Sequence, residues 1–306
     1  MIANKVIIDT DPGVDDALAI AFAIKSEIPV VALSTVYGNS TVENSSKNAL
    51  SLLQLMDKDI DIYQGENFPL SGIRHFANSH GENGLGGFSL QTKKTIKQQN
   101  AIDFYSEILE RHPHKTVTII AIGPTTNLGK LIQKNKSLLF KAKQIIIMGG
   151  VFDQKGNVTP YAEFNVYNDP LALKELLRLD HPNIVMVPAN ICRKVTFDKN
   201  IFREISDEKL SNGLKQISDI YIDYYSNKSE YGVFNGGVMY DLLAVCFYLD
   251  KSSFSTVNAR VDVEITSGEK YGETRVIKGK PNCKIVTDVN EKRIRELFVE
   301  AMNHQL

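Results

Sequence analysis

Lys5-Val6-Ile7-Ile8-Asp9-Thr10-Asp11-Pro12-Gly13-Val14-Asp15-Asp16, followed by Ala17-Leu18-Ala19-Ile20-Ala21-Phe22-Ala23-Ile24, is the stretch on which the fold turns. Val6-Ile7-Ile8 is a short β-branched run of the kind a buried parallel strand uses, and 17–24 reads as a mostly buried helix. Pro12 and Gly13 punctuate the junction. Four carboxylates, Asp9, Asp11, Asp15 and Asp16, fall within that junction. Like charges so close raise one another's pKa or require a counter-ion, and a group of hard carboxylate oxygens suits Ca²⁺ or Mg²⁺. The alternative is capping, because unpaired N–H groups at a helix N-terminus favour acids without any metal. Capping accounts for Asp15 and Asp16, whereas Asp9 and Asp11 lie on the strand side of the turn. The cluster is therefore read as a metal site.

The same alternation continues outward. Strand-like runs at 29–36, 117–122, 144–148 and 184–187 are separated by helix-like segments at 42–56, 101–111, 125–134 and 169–179, the last entered through Asn168-Asp169-Pro170. Such a pattern implies βαβ crossovers and an α/β fold, Rossmann-like, with a mainly parallel central sheet and helices on both faces. Beyond 258 the pattern is strand-like at 260–265, 274–277 and 284–286, then helical at about 290–303 with Asn290 as N-cap. No linker, repeat or low-complexity segment divides the chain, so one large domain over 1–306 is expected.

Polar or Gly-rich sequence follows each strand: Asp9/Asp11, Tyr37-Gly38-Asn39, Gly123-Pro124-Thr125-Thr126-Asn127, Gly149-Gly150 and Ala189-Asn190. Ligands in open α/β sheets bind outside the carboxyl ends of strands, so these segments are expected to meet at one crevice. A single Gly-Asn pair is an ordinary turn, but five such segments in phase with five strands are harder to explain that way. The stretch 66–95 has many Gly and Asn and little periodicity, which marks a long loop of the kind used as a lid or binding loop. A second irregular stretch, 226–239, precedes an apolar helix from Asp241.

Composition narrows the partners. A 306-residue chain that is 43% hydrophobic can bury a large core. A net charge of −1 and a pI near 6.6 offer no excess of positive charge for nucleic acid or an anionic membrane, which leaves a small molecule. Cys192, Cys246 and Cys283 are scattered and lack a CxxC spacing, which speaks against zinc and disulfides. No signal peptide is visible and the apolar run after Asp16 stops at Lys25, too short to span a bilayer, so a cytoplasmic protein is expected.

Asp9-Thr10-Asp11-Pro12-Gly13-Val14-Asp15-Asp16-Ala17 resembles the N-terminal signature of the inosine–uridine-preferring nucleoside hydrolases. His80-Gly81-Glu82-Asn83-Gly84, Gly123-Pro124-Thr125-Thr126-Asn127, Met148-Gly149-Gly150 and Ala162-Glu163-Phe164-Asn165 through Asp169-Pro170 resemble the family's later motifs in order. The resemblance covers nearly the whole chain. It implies hydrolysis of the N-glycosidic bond of a ribonucleoside to ribose and free base, in nucleoside salvage or catabolism, by a cytoplasmic dimer or tetramer. It also implies Ca²⁺ held by Asp11, Asp16, the Thr126 carbonyl and Asp241, with Asp11 doubling as general base toward water. Asp15, Asn39, Asn157, Glu163 and Asn165 would hold the ribose, Met148 would pack beneath it, and Asp9 would support the cluster. In isolation Asn157 and Asn165 read as turn residues, Glu163 as a surface charge and Met148 as core.

One position departs from the family pattern. Well-studied members carry a His-Asp pair before the helix that supplies the last metal ligand, and the histidine is placed to protonate the leaving base; here the pair is Tyr240-Asp241. A phenol with an ordinary pKa near ~10 is protonated at neutral pH but is a weaker acid than imidazolium. Three accounts are open: Tyr240 serves as a less efficient acid, His80 or another loop residue takes the task, or the base leaves without full protonation. Tyr225 and Tyr231 are available to stack on a base. The lost histidine suggests a broad or pyrimidine-leaning preference.

Two other readings remain. An apolar strand before Asp9-Thr10-Asp11 also resembles Mg²⁺-dependent phosphatases of the haloacid-dehalogenase type, although Pro12-Gly13 and the Asp15-Asp16 pair fit nucleoside hydrolases better. A nucleoside- or ribose-binding protein without turnover would explain the missing histidine, but not the retained Asp11.

Overall fold

The structure is a computed structural model that describes residues 4–226 and 236–304. Strands β1 (Lys5–Thr10), β2 (Val30–Thr35), β3 (Asp61–Gln64), β4 (Val117–Ala121), β5 (Gln144–Met148) and β6 (Ile184–Val187) alternate with helices. These are α1 (Val14–Lys25), α2 (Val42–Leu55), α3 (Ala101–Arg111), α4 (Thr126–Asn135), and the pair α5 (Phe164–Asn168) and α6 (Pro170–Arg178). The chain continues through α7 (Ala189–Cys192), β7 (Thr196–Phe197), α8 (Glu208–Ser226), β8 (Gly237–Val238) and α9 (Tyr240–Leu249). It ends with β9 (Phe254–Val263), β10 (Thr274–Ile277), β11 (Cys283–Val289) and α10 (Glu291–Met302).

The nine-stranded sheet has the order β10-β9-β11-β6-β5-β4-β1-β2-β3. All neighbours from β11 to β3 run parallel, and only β9 and β10 are antiparallel. The fold is thus α/β, mainly parallel and Rossmann-like. Strand order reverses direction beside β1, whose neighbours are β2 on one side and β4 on the other. That switch point is where open α/β sheets leave a crevice, and Asp11 emerges into it.

Burial explains why β1 lacks the polar alternation of a half-exposed strand. Val6 and Ile8 belong to a core shared with α1, α8 and α9, while Ile7 belongs to a second core shared with α3, α4 and α6. A strand covered on both faces is apolar at successive positions. Truncating Ile8, fully buried, to Ala is expected to cost about 2–5 kcal/mol.

Several elements differ from the sequence expectation. Edge strand β3 was hidden because Asp61-Ile-Tyr-Gln is short and half polar. The 19-residue helix α8 was not anticipated, since its apolar stripe is interrupted by Gly213 and Ser218. Strand β9 begins at Phe254, well before 260, because its first half is mostly exposed and finds its partner in β11. The stretch 66–95 contains no helix or strand, and Asn290 accepts Arg293 N–H at 3.1 Å as N-cap. Tyr231 lies outside the described residues.

Candidate active site

The acids are built into the turn between β1 and α1 by local hydrogen bonds. Gly13 N–H donates to Asp16 Oδ2 at 2.9 Å, so Asp16 closes a capping box on the first turn of α1. Thr10 Oγ1 donates to Asp16 Oδ1, and Asn39 Nδ2 donates to Asp16 Oδ2 at 3.0 Å. Capping therefore does operate at Asp16. It leaves Asp15 and Asp241 unexplained: the carboxylate oxygens of Asp15, Asp16 and Asp241 lie within 4.8 Å of one another, all buried.

Asp11 stands beside this trio. Asn39 N–H donates to its Oδ2 at 2.6 Å, while its Oδ1 is buried without a hydrogen-bond partner. Two glycines make room for it. A Cβ on Gly38 would lie 2.0 Å from Asp11 Oδ2, and one on Gly123 2.6 Å from Oδ1. Gly38 follows β2 and Gly123 follows β4, so the residues flanking the switch point are small because a carboxylate occupies the space.

Burial is the main reason these groups resist ionisation. It pushes the Asp11, Asp15 and Asp241 carboxyls well above the usual range, and repulsion from neighbouring acids adds to it. Asp16 is also raised by burial, against the donors Thr10 and Gly13. Asp9 sits behind the cluster, where Ser34, Tyr105 and Asn127 all donate to its Oδ2. Burial lifts it to about 6 in spite of them. Among the described residues no lysine or arginine forms an ion pair with these five acids. A buried set of hard oxygen donors, in which Asp9 Oδ1 and Asp11 Oδ1 lack a hydrogen-bond partner, fits a divalent cation such as Ca²⁺ or Mg²⁺.

The cluster borders a cavity of about 290 Å³, near the lower bound of ~300 Å³ typical of small-molecule sites. Asp15, Asn39, Met148, Asn157, Glu163, Asn165, His80, Tyr240 and Asp241 all line it. Of the residues singled out from the sequence, Asp11, Asp16 and Thr126 are buried without lining it. Thr126 opens α4 with its hydroxyl donating to Asp169 Oδ2 at 2.7 Å. Glu163 caps α5, accepting from Asn165 N–H at 2.9 Å, Gly150 N–H at 3.0 Å and Val166 N–H at 3.2 Å. Burial outweighs these donors and raises it to about 7. Asn165 Nδ2 donates to Ile122 O at 2.8 Å, and Asn157 Oδ1 accepts from Phe164 N–H at 2.8 Å.

The chain matches the inosine-uridine preferring nucleoside hydrolase family over residues 6–296. It is 34% identical over 285 residues to uridine nucleosidase 1 of Arabidopsis thaliana, covering 90% of this chain and 82% of that protein. It is 33% identical over 314 residues to the pyrimidine-specific ribonucleoside hydrolase RihA of Salmonella paratyphi A, covering 99% of each. A plant nucleoside hydrolase structure superposes with a TM-score of 0.91 at 30% identity, covering 99% of both chains. A purine-preferring ribonucleoside hydrolase from Gardnerella vaginalis has the same fold, with a TM-score of 0.89 at 23% identity over 97% of this chain and 98% of that one. This chain belongs to the nucleoside hydrolase family. It is an N-glycosyl hydrolase acting on small-molecule nucleosides.

The lining of the hydrolase's cavity is also aromatic. Tyr221, Tyr224 and Tyr225 project from α8 at helical spacing, joined by Phe76, Val158 and Tyr240. Tyr221 and Tyr224 were missed, although tyrosines at i, i+3 and i+4 were the available signal. His75 and Phe76 were missed as well; their loop is fixed by His75 N–H donating to Asn168 Oδ1 at 2.8 Å.

The two candidate acids do not behave as their types suggest. Val14 N–H donates to His80 Nδ1 at 3.0 Å, so that nitrogen is unprotonated and the ring proton sits on Nε2. Burial lowers His80 to about 3, which makes the 3.9 Å approach of Nδ1 to Asp15 Oδ1 a contact with a neutral ring and no ion pair. Tyr240 is less acidic than an ordinary phenol, because burial pushes it up to about 12 against the pull of Arg193 and Tyr225. Its hydroxyl meets no protein group in good hydrogen-bond geometry, which leaves it available to a ligand. No helix among the described residues is long and apolar enough to cross a membrane.

Proposed function

We propose that the protein hydrolyses ribonucleosides with a broad or pyrimidine-leaning preference. The observation that carries this reading is a single cavity lined by both buried acids and tyrosines. It supplies a polar grip for a sugar beside a stacking wall for a base. The names of the relatives, uridine nucleosidase and pyrimidine-specific ribonucleoside hydrolase, support pyrimidine turnover.

Asp11, Asp16, Asp241 and the Thr126 carbonyl would hold Ca²⁺, and Asp15 stands close enough to Asp16 and Asp241 to take part. When bound, the cation neutralises the acids, makes a water more acidic and gives ribose hydroxyls a Lewis-acidic partner. Asp11, fixed by Asn39 N–H, takes the proton of the attacking water. The carboxylates stabilise positive charge that develops on the sugar as the C–N bond breaks. Asn157, Glu163 and Asn165 hold the sugar hydroxyls over Met148, so a substrate lacking one leaves buried groups unpaired. At the base end, neutral His80 offers an N–H, and the protonated Tyr240 donates a hydrogen bond to the departing base. We further propose one domain over 1–306, a dimer or tetramer, and a cytoplasmic setting.

Base release from a panel of ribonucleosides and 2′-deoxyribonucleosides, with and without chelator, tests this reading. Uridine and cytidine turnover that stops on chelation and drops for the deoxy substrates is expected. Faster purine turnover would refute the preference, release of phosphate from phosphate esters would favour the phosphatase reading, and binding without base release would reveal a pure binder.

A further inference from the structure

A second cavity, of about 500 Å³, adjoins the substrate cavity. It is lined by residues 154–160 and Arg193, and it shares Asn157 and Val158 with the first. The loop that forms it is closed by its own backbone. Gly156 N–H donates to Pro160 O at 3.2 Å, Asn157 N–H to Ala162 O at 3.2 Å and Val158 N–H to Ala162 O at 3.3 Å. A Cβ on Gly156 would lie 2.0 Å from Ala162 O, so the turn closes this tightly only around glycine. Arg193, at the C-terminus of α7, crosses to the loop, where its Nη1 donates to Lys155 O at 2.7 Å. Two cations, Lys155 and Arg193, therefore line the cavity, and among the described residues no aspartate or glutamate does.

Neutral donors complete the lining. Thr159 Oγ1 accepts Ala162 N–H at 3.0 Å and Tyr161 N–H at 3.2 Å, which leaves the hydroxyl proton to give to a ligand. Asn157 Oδ1 accepts Phe164 N–H at 2.8 Å, so the amide Nδ2 keeps its two donors for whatever lies between the cavities. Cations with hydroxyl and amide donors suit an anion.

We infer that the second cavity is a subsite for a phosphate on the ribose C5′, so that ribonucleoside 5′-monophosphates are substrates of the same acid cluster. The inference rests on the proposed ribose grip. A cation chelates the vicinal 2′ and 3′ hydroxyls and the base meets the tyrosines, which leaves the C5′ arm for the wall of Asn157, Glu163 and Asn165. Asn157 is the part of that wall that the second cavity shares, and a phosphate ester extends the C5′ arm past it toward Lys155 and Arg193. An unphosphorylated nucleoside fits as well, because its 5′-hydroxyl stops at Asn157. In the reaction, water oxygen bonds to the anomeric carbon, the C–N electron pair passes to the base, and the water proton goes to Asp11. The base takes a proton from solvent, and the products are ribose 5-phosphate and free base.

The test measures uracil release from uridine and uridine 5′-monophosphate in the calcium-loaded protein, with uridine 3′-monophosphate as a control of equal charge. The 5′-monophosphate should be hydrolysed to uracil and ribose 5-phosphate with a KM below that of uridine. That KM should rise with added NaCl while the KM for uridine stays level. Lys155→Glu should raise the KM for the 5′-monophosphate by ~10-fold, with its kcat and all uridine turnover unchanged. The same KM should rise in Arg193→Met and rise less in Arg193→Lys, which keeps the charge. No uracil from the 5′-monophosphate beside normal turnover of uridine would overturn the inference. So would equal use of the 3′-monophosphate, release of inorganic phosphate in place of ribose 5-phosphate, or a Lys155→Glu loss shared by uridine. Absence of uracil from uridine and 5′-monophosphate alike would instead bring down the underlying pyrimidine-ribonucleoside reading.

Discussion

On the proposed calcium reading, adding calcium to chelated protein perturbs the acid trio directly, and the size of the response follows from its geometry. Two ionised carboxylates 4.8 Å apart repel by about 3.5 kcal/mol at an effective dielectric of ~20. Without a cation, Asp15 and Asp241 avoid this by keeping their protons, as their burial and mutual repulsion already favour. The sign of the pH dependence follows. Above pH ~4 the unfolded chain releases protons that the folded state retains, so the cation-free protein loses stability as pH rises toward the elevated folded values. A cation that requires the ionised acids acts most strongly at the high end of that range. At one hundred times its Kd it contributes about 2.7 kcal/mol. With an unfolding entropy of about 2.1 cal/mol/K per residue over 306 residues, that corresponds to a Tm increase of about 4 °C. Thermal melts followed by circular dichroism at pH 5 and pH 8, with chelator or excess CaCl₂, measure it. The wild type should show the shift at pH 8 and less of it at pH 5. Asp241→Asn should melt above the wild type in chelator and lose the calcium shift. A full shift in Asp241→Asn would refute the ligand assignment, and activity resistant to chelation with no calcium shift would refute the metal site.

Other substitutions probe separate parts of the cavity. Asp11→Asn should reduce kcat by ~10²–10⁴-fold while leaving Tm unchanged or raised, as steady-state kinetics beside a melt will show. Gly38→Ala places a methyl 2.0 Å from Asp11 Oδ2 and should depress kcat with a folded far-UV spectrum; wild-type turnover would mean that Asp11 need not stay where it is. Glu163 ionises in the unfolded chain near 4.5 and in the folded protein near 7, so folded protein retains its proton across that window. Stability should therefore fall by about 3 kcal/mol as pH rises from 4.5 to 7, and urea midpoints of Glu163→Gln should lack that component.

The acid end was legible in sequence because it is local. Asp9 to Asp16 span the junction from β1 to α1, and Pro12-Gly13 announces its turn before any tertiary contact is considered. The α/β alternation was equally plain, since apolar strands buried on both faces leave uninterrupted runs such as Ile145-Ile146-Ile147. The base end was not legible in the same way. It joins residues from the 75–80 loop, α8 and the start of α9, and nothing in the local pattern of any one of them requires the others. Tyr221 and Tyr225 pack against each other with centroids 4.7 Å apart, a contact that reads from sequence as ordinary core. Chemical type misled as well. His80 looks like an acid by residue name, yet the Val14 N–H on its Nδ1 and its burial keep it neutral.

The two ends also differ in how tightly they are constrained. Asp11 is enclosed by Gly38 and Gly123 and tied to Asn39, so a shift at any of these positions reaches the same carboxylate. Glu163, proposed to hold the sugar, is fixed with similar rigidity: all three N–H donors to its carboxylate are backbone groups, which side-chain substitution does not remove. Around the tyrosines the contacts are ring packing and a Tyr240 hydroxyl that meets no protein group in good hydrogen-bond geometry. Ring packing tolerates exchange among aromatic residues far better than a buried carboxylate tolerates loss of its donors. Exchanges at Tyr221, Tyr224 or Tyr225 should consequently alter the ratio of uridine to inosine turnover while preserving the calcium-dependent Tm shift. Loss of that shift in such a variant would contradict the difference in constraint argued from their contacts.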